Sequence, residues 1–212
     1  MLVTPAALEA LSDILPDSRQ WPVYVCDRSV VAEVTGFDFH RGCLALGRRA
    51  ADSGDLDDVS SATRIIGLEG IGNPDNIGGL FRVAGAMHVG GVVLDRTCAD
   101  PLYRKAIRTS MGAALKVPFV RQQDWLLGLH QLRERGFRLI ALTPDPAALT
   151  LEQVTFTAGE RIALLLGSEG SGLQPVTLSF ADVRVRIPMD PTADSLNVVV
   201  AAAIALYQLR EP

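Results

Sequence analysis

Three short stretches gather polar groups at places where an apolar run stops. "NPDNIGGLFR" (73–82) sets Asn76 and Arg82 around two adjacent glycines. "LLLGSEGSGL" (164–173) leaves Glu169 as its one charged group among glycines and serines. "IPMDPTADSLN" (187–197) brings Ser195 and Asn197 to the start of an apolar run. An arginine near a helix N-terminus can grip an anion through a planar, forked donor set. Glycines at strand ends let the backbone approach a ligand and expose its N–H and C=O groups. The chemistry on offer is anion recognition and hydrogen-bonded positioning. Cys26, Cys43 and Cys98 are widely spaced and lack any C-x-x-C pair, and only His40, His88 and His130 accompany them, so neither a disulfide framework nor a metal site is expected.

Taken singly, each stretch has two readings. "GIGNPD" offers Gly70 and Gly72 but puts Asp75 where a dinucleotide fingerprint needs its third glycine, and no G-K-[ST] occurs for a P-loop. Asn76 is read as the N-cap of a helix on which Gly78, Gly79, Arg82, Gly85 and Ala86 share one face, with Ile77, Leu80, Phe81, Ala84 and Met87 facing the core. The glycines serve either tight packing or the approach of another backbone, and Arg82 is either a surface ion-pair partner or an anion site. Glu169 is a site carboxylate or an acid favoured by a following helix dipole. Ser195 is read as an N-cap or a catalytic group, with Asn197 in the first helical turn.

The elements that must hold these stretches alternate. From residue 64 onward the pattern is strand "RIIGLEGI", helix "NIGGLFRVAGAMHV", strand "GGVVLD", basic helical stretch "DPLYRKAIRTSMGAAL", then "KVPFV", helix "DWLLGLHQLRERG", strands "FRLIALT", "RIALLLG" and "VRVRIP", and helix "SLNVVVAAAIALYQLR". Continuous apolar strands separated by helices predict an α/β fold, a mostly parallel sheet with helices on both faces. In such sheets ligands bind where strands end and helices begin, which is where the three stretches lie. Ahead of them, residues 51–62, "ADSGDLDDVSSA", read as a linker. Residues 1–50 hold two helical and two strand-like segments, a thin core that points to an incomplete domain.

Composition narrows the class. Of 212 residues, 48% are hydrophobic and 21% charged, which excludes disorder. The start "MLVTPAALEALSDILP" has no basic leader and the longest apolar run is half a membrane span, so a cytoplasmic chain is expected, with no membrane partner. A net charge of -4 argues against indiscriminate nucleic-acid coating but not against a local site. Between Arg96 and Arg121 six basic residues (Arg96, Arg104, Lys105, Arg108, Lys116, Arg121) face the single acid Asp100. That stretch is either a solvated helix face or a phosphate-contact surface.

In this order, "NPDNIGGLFRVAGAMHVGGVVL", "IALLLGSEGSGL" and "VRIPMDPTADSLNVVVAAAIAL" resemble the three signature motifs of the SpoU family of RNA ribose 2'-O-methyltransferases, of the SPOUT class. "RKAIRTSMGAALKVPF" is similar to the family's stretch between the first two motifs. The resemblance covers residues 63–212 and implies a C-terminal trefoil knot, S-adenosylmethionine as cofactor, and a homodimer through the knot region. It implies that Gly167, Ile187 and Leu196 hold the cofactor largely through backbone groups, with Leu166, Met189 and Thr143 as neighbours. It carries Asn76, Arg82, Glu169, Ser195 and Asn197 into the active-site set and leaves Arg104, Lys105 and Arg108 as RNA contacts. "PVYVCDRSVVAEVTGFDFHRGCLALGRR" resembles the latter half of a small ribosomal-protein-like RNA-binding domain, so 1–50 is expected to be a partial one.

The function so implied is methyl transfer from S-adenosylmethionine to a ribose 2'-hydroxyl in structured RNA, rRNA more than tRNA. A tRNA-directed enzyme and a non-catalytic RNA binder keeping the fold are the alternatives, and a nicotinamide oxidoreductase is weakened by the failed fingerprint. Family accounts give the arginine matching Arg82 the activation of the hydroxyl. A guanidinium whose pKa exceeds about 12 suits a phosphate clamp better than a base.

Overall fold

The computed structural model describes residues 1–15, 21–36, 42–49, 55–157, 159–190, 192 and 195–209. The chain divides into two compact units, residues 1–51 and 52–212. Parts of three stretches read above, 37–41, 51–54 and 191, 193 and 194, lie outside the described residues.

Among its described residues the first unit is a three-stranded sheet with two helices. Strand β1 (Leu2–Val3) pairs parallel with β2 (Tyr24–Val25) and antiparallel with β3 (Cys43–Leu44). Helix α1 (Pro5–Ala10) starts where the Thr4 hydroxyl accepts the Ala7 N–H and Pro5 needs no partner. Helix α2 (Arg28–Thr35) ends on Gly36 in the left-handed region, φ 74°. β1 is too short to show an alternating pattern, so the sequence reading passes over it. Its core is thin: Val3 and Val31 are buried, whereas Tyr24, Val25, Val30 and Val34 are exposed.

The second unit holds a seven-stranded sheet in which every pairing is parallel. Its strands are β4 (Arg64–Glu69), β5 (Gly91–Asp95), β6 (Phe119–Gln122), β7 (Phe137–Leu142), β8 (Leu149–Thr150), β9 (Arg161–Gly167) and β10 (Val183–Arg186). They lie in the order β6-β5-β4-β9-β7-β10-β8. Helices α3 (Pro74–Ala86), α4 (Arg104–Thr109) and α7 (Val198–Gln208) cover one face, while α5 (Trp125–Glu134) and α6 (Pro175–Phe180) belong to the other. Strand side chains alternate between the two cores: Ile66 and Leu68 join α3 and α7, Ile65 joins α5. Within the stretch read as a linker, residues 56–59 form a 3-10 turn whose Leu56 and Val59 are buried in this second core. They pack as part of the unit instead of spacing it from its neighbour. Among the described residues no helix is long and apolar enough to cross a membrane, and no cluster of His, Cys, Asp and Glu is placed to hold a metal ion.

Two helices differ from the sequence reading. The N-cap of α3 is Asn73, whose Oδ1 accepts the Asp75 N–H at 2.9 Å, because Pro74 fits the first helical position and moves the start upstream; Asn76 is therefore inside the first turn. The basic stretch 100–115 is not one helix. It breaks after α4 at Met111 and Gly112, with φ of 53° and 83°, before a short 3-10 turn at 113–115.

Candidate active site

The register places the first two motifs side by side. Glu69, last residue of β4, pairs with Gly167, last of β9, so the loops leaving these strands run together at the point where the strand order reverses. A buried carboxylate fixes this junction. Glu69, 7% exposed, accepts the Gln174 N–H at 3.0 Å and the hydroxyl of the fully buried Thr177 at 2.9 Å, and Thr177 in turn accepts the Trp125 Nε1–H. A buried acceptor left short of a hydrogen-bond partner costs roughly 1–3 kcal/mol, more when it is charged. The sequence carried one sign of this role, an acid closing an otherwise apolar strand. The turn that follows β9 closes on itself: the Gly172 N–H donates to the Ser168 carbonyl at 3.0 Å, and the Ser168 and Ser171 hydroxyls lie 2.6 Å apart. It presents Glu169 to solvent.

The third motif reaches the same point from the far end of the unit. Asn197, not Ser195, is the N-cap of α7: its Oδ1 accepts the Val199 N–H at 2.9 Å. Capping with the oxygen turns the amide nitrogen outward, and its two hydrogens go to Asn76 Oδ1 at 3.1 Å and Glu169 Oε1 at 2.7 Å. One side chain thus joins all three motifs, using an acceptor and two donors that only an amide combines. Asn76 is buried, while Asn197 and Glu169 are exposed, and Glu169 Oε2 has no partner among the described residues. The arrangement offers a ligand a fixed carboxylate oxygen beside a buried amide.

Arg82 and Ser195 are not in this contact group. Arg82 is exposed, has no ionic or hydrogen-bonding partner among the described residues, and lies six residues beyond Asn76 on α3, about 9 Å along the helix axis. Ser195 is exposed two residues before the cap. The glycine face of α3 is not bare. A Cβ at Gly78 would sit 1.9 Å from Thr109 Oγ1 and 2.6 Å from the Ala106 carbonyl oxygen, and one at Gly79 would sit 2.7 Å from Val199 Cγ2. The chain's own α4 and α7 fill the space that the sequence left open to a ligand. The glycines allow those helices to meet α3 and so bring Asn197 to Asn76.

The expected cofactor residues cluster at the C-terminal ends of three adjacent strands. Leu166 and Gly167 end β9, Thr143 follows β7 and donates its N–H to the Val185 carbonyl, and Ile187 and Met189 follow β10. Leu166 is buried, Gly167, Thr143, Ile187 and Met189 are half-buried, and Leu196 is 37% exposed just ahead of α7. None is charged, so they offer backbone groups and apolar walls.

The expected RNA cations divide. Lys105 is held by Asp75 at 2.7 Å, through a contact across α3 and α4 that the sequence count of charges could not show. Arg121 points inward and donates to the carbonyls of Asp95, Cys98 and Ala99, clamping the 95–99 loop. Arg104 also has a partner, and Arg108 is exposed without one among the described residues. In the same loop Cys98 is buried. Burial and then the neighbouring Asp95 push its thiol up to about 12, so it acts as a hydrogen-bond bridge from Ile71 N–H to the Leu68 carbonyl and not as a nucleophile.

The SpoU rRNA Methylase family matches residues 63–207. A protein of Mycobacterium bovis described as an uncharacterized tRNA/rRNA methyltransferase is 47% identical over 188 residues, covering 88% of this chain and 65% of its own length. The chain thus spans about two thirds of that relative. A 23S rRNA (guanosine-2'-O-)-methyltransferase of Acinetobacter baylyi is 30% identical over 88% of this chain and 77% of its own. Among solved structures, the SpoU methyltransferase AviRb of Streptomyces viridochromogenes superposes with a TM-score of 0.80 at 22% identity, over 98% of this chain and 79% of its own. An RNA 2'-O ribose methyltransferase gives 0.71 at 25% identity, over 98% and 78%. The family match over residues 63–207 and the 30% identity to the Acinetobacter baylyi enzyme over most of both chains make this chain a member of the SpoU rRNA methylase family.

Proposed function

We propose that this chain transfers a methyl group from S-adenosylmethionine to a ribose 2'-hydroxyl of structured RNA in the cytoplasm, rRNA in preference to tRNA. The observation that carries the proposal is the amide of Asn197 bonded at once to Asn76 and Glu169. The name of the 30% identical relative, a 23S rRNA 2'-O-methyltransferase, supports the acceptor. Gly167, Ile187 and Leu196, with Leu166, Met189 and Thr143, would hold the cofactor, and an uncharged, partly apolar group of residues at the strand ends fits a nucleoside bound through backbone groups. S-adenosylmethionine, when bound, supplies a methyl group on a sulfonium, ready for in-line attack. The residues of this chain do the rest by positioning. Glu169 and Asn76 orient the hydroxyl-bearing ribose, Asn197 keeps both in place, and Ser195, two residues before the cap, helps to position the ribose. Arg82, exposed and without a partner among the described residues, clamps the phosphate beside the target ribose and stabilises charge developing on its oxygen.

Arg82→Ala is expected to lower methyl transfer to rRNA from a methylation-deficient strain by about 100-fold with cofactor affinity unchanged, and Arg82→Lys to recover only part of it, because an ammonium cannot grip a phosphate in two places. Full activity in Arg82→Lys would remove the clamp. Absence of any transfer by the parent, with RNA still bound, would leave a non-catalytic binder.

The same reading includes a trefoil knot near the C-terminus and a homodimer. Supporting the dimer, Val200, Ile204 and Tyr207 form an exposed apolar stripe along α7, at 47%, 40% and 52% exposure, on a helix whose other side is core. Ile204→Glu is expected to shift the protein from dimer to monomer in sedimentation equilibrium; an unchanged mass would place the dimer contact elsewhere. Residues 1–50 are read as a partial RNA-binding domain.

A further inference from the structure

From Arg82 onward, on the side away from Asn76 and just ahead of β5 and β6, α3 forms one wall of an open groove of 470 Å³ that none of the assigned residues except Arg82 enters. The other wall comes from the broken stretch after α4. Arg82 and Lys116 stand on its rim, Gly85 keeps the wall low, and Met111, Val117 and Pro118 supply apolar surface. Its lining contains two cations and no acid, in a chain of net charge -4. Both cations are exposed and have no partner among the described residues, whereas Lys105, earlier in the same basic stretch, is paired with Asp75. Met111 reaches the groove from a left-handed backbone, φ 53°, and is 72% exposed, an unfavourable placement for a long apolar side chain in the absence of something to cover it.

Resting on the reading of the chain as an RNA methyltransferase, we propose that this groove binds the nucleotide flanking the methylated one, Lys116 taking its phosphate while Arg82 takes the phosphate of the target. The size fits one nucleotide, since small-molecule sites occupy about 300–1,000 Å³. The charge arrangement fits a ribose-phosphate backbone: two separated cations for successive phosphates and an uncharged wall for the sugar between them. A break in the basic stretch is what makes the groove. A helix continued through 110–112 would carry Lys116 on past α3, and the left-handed turn brings it back along the α3 wall.

The test uses the full chain and an in vitro transcript of 23S rRNA. Lys116→Ala is expected to weaken binding about five- to tenfold and to reduce the slope of log affinity against log salt by about 0.7–0.9, the loss of one phosphate contact. Lys116→Glu should weaken it further, and S-adenosylmethionine affinity by calorimetry should not change in either. Arg133→Ala, an arginine of α5 on the other face of the sheet and paired with Asp182 at 2.9 Å, should leave the slope within error. Parent-like affinity and slope in both Lys116 variants would overturn the proposal while leaving the methyltransferase reading intact. A change in sedimenting mass in Lys116→Glu would assign the groove to a second copy of the chain and overturn it too. A parent that neither binds nor methylates the transcript would overturn both readings.

Discussion

Asn197→Asp is expected to lower methyl transfer by about 100-fold or more at pH 8 while leaving the fold standing. The exchange keeps an oxygen for the Val199 N–H, so α7 stays capped, but replaces the nitrogen that now lies 2.7 Å from Glu169 and 3.1 Å from Asn76 Oδ1. Three oxygens would then face one another without a hydrogen. Displacements of about 1 Å in a positioning site suffice for losses of this order. The pH dependence has a definite sign. Two carboxylates in contact raise one another's pKa, so the variant is destabilised at high pH, where both are charged, and recovers as pH falls and a shared proton restores the bridge. Relative to the parent, both activity and melting temperature of Asn197→Asp should therefore improve between about pH 8 and 5. Asn197→Ala, which loses the cap as well, should lose a further 0.5–2 kcal/mol, roughly, and show no such recovery. A variant that stays inactive at every pH with an unchanged melting profile would separate Asn197 from Glu169.

The second large effect is on stability. Gly78→Ala places a methyl group against the Ala106 carbonyl oxygen, which belongs to the α4 backbone and cannot rotate away. Overpacking of this kind costs roughly 1–3 kcal/mol and outweighs most or all of the helix propensity gained, about 1 kcal/mol. Gly79→Ala meets only the Val199 side chain. Its penalty should be smaller, and the pair Gly79→Ala with Val199→Ala should return to near the parent. Thermal melts of the three variants check this, at about 2–4 °C per kcal/mol for a domain of this size. Equal melting temperatures for Gly78→Ala and Gly79→Ala would mean that α4 and α7 yield alike.

These two sites also show how far the sequence could be read. In the second unit β4, β5, β7 and β9 were legible because each is a largely apolar run buried on both faces, and β10 also falls where the pattern puts it, whereas the two-residue β8 carries no pattern to read. Asn76, Glu169 and Asn197 were legible as a group only through their resemblance to a family, since no periodicity says that residues 76, 169 and 197 meet. That information lies in the strand order, which inserts β9 beside β4. The caps were misplaced by three and two residues because Asn73 and Asn76, like Ser195 and Asn197, offer equally good oxygens, and Pro74 and the bridge to Glu169 decide between them. The glycines of α3 carried an ambiguity that only the positions of Thr109 and Val199 could settle. Lys105 and Arg121 looked like surface charge because a count of charges is blind to Asp75 and to the loop carbonyls.

The insertion of β9 bears on how the chain reaches this structure at all. Arg64 of β4 pairs with Ile162, and Phe137 of β7 pairs with Arg161, so β4 and β7 share no ladder of their own. Until β9 is in place the sheet is two separate halves, each with an apolar edge open to water. Pairing across such sequence distances closes long loops before it returns any contact energy, which makes folding slow and leaves exposed edges prone to aggregate. A chain emerging from the ribosome would carry the open edge of β4 through the whole stretch between Glu69 and Arg161, and that of β7 through the much shorter one after Leu142, which makes the assembled site a late event and the half-sheet a natural client for chaperones.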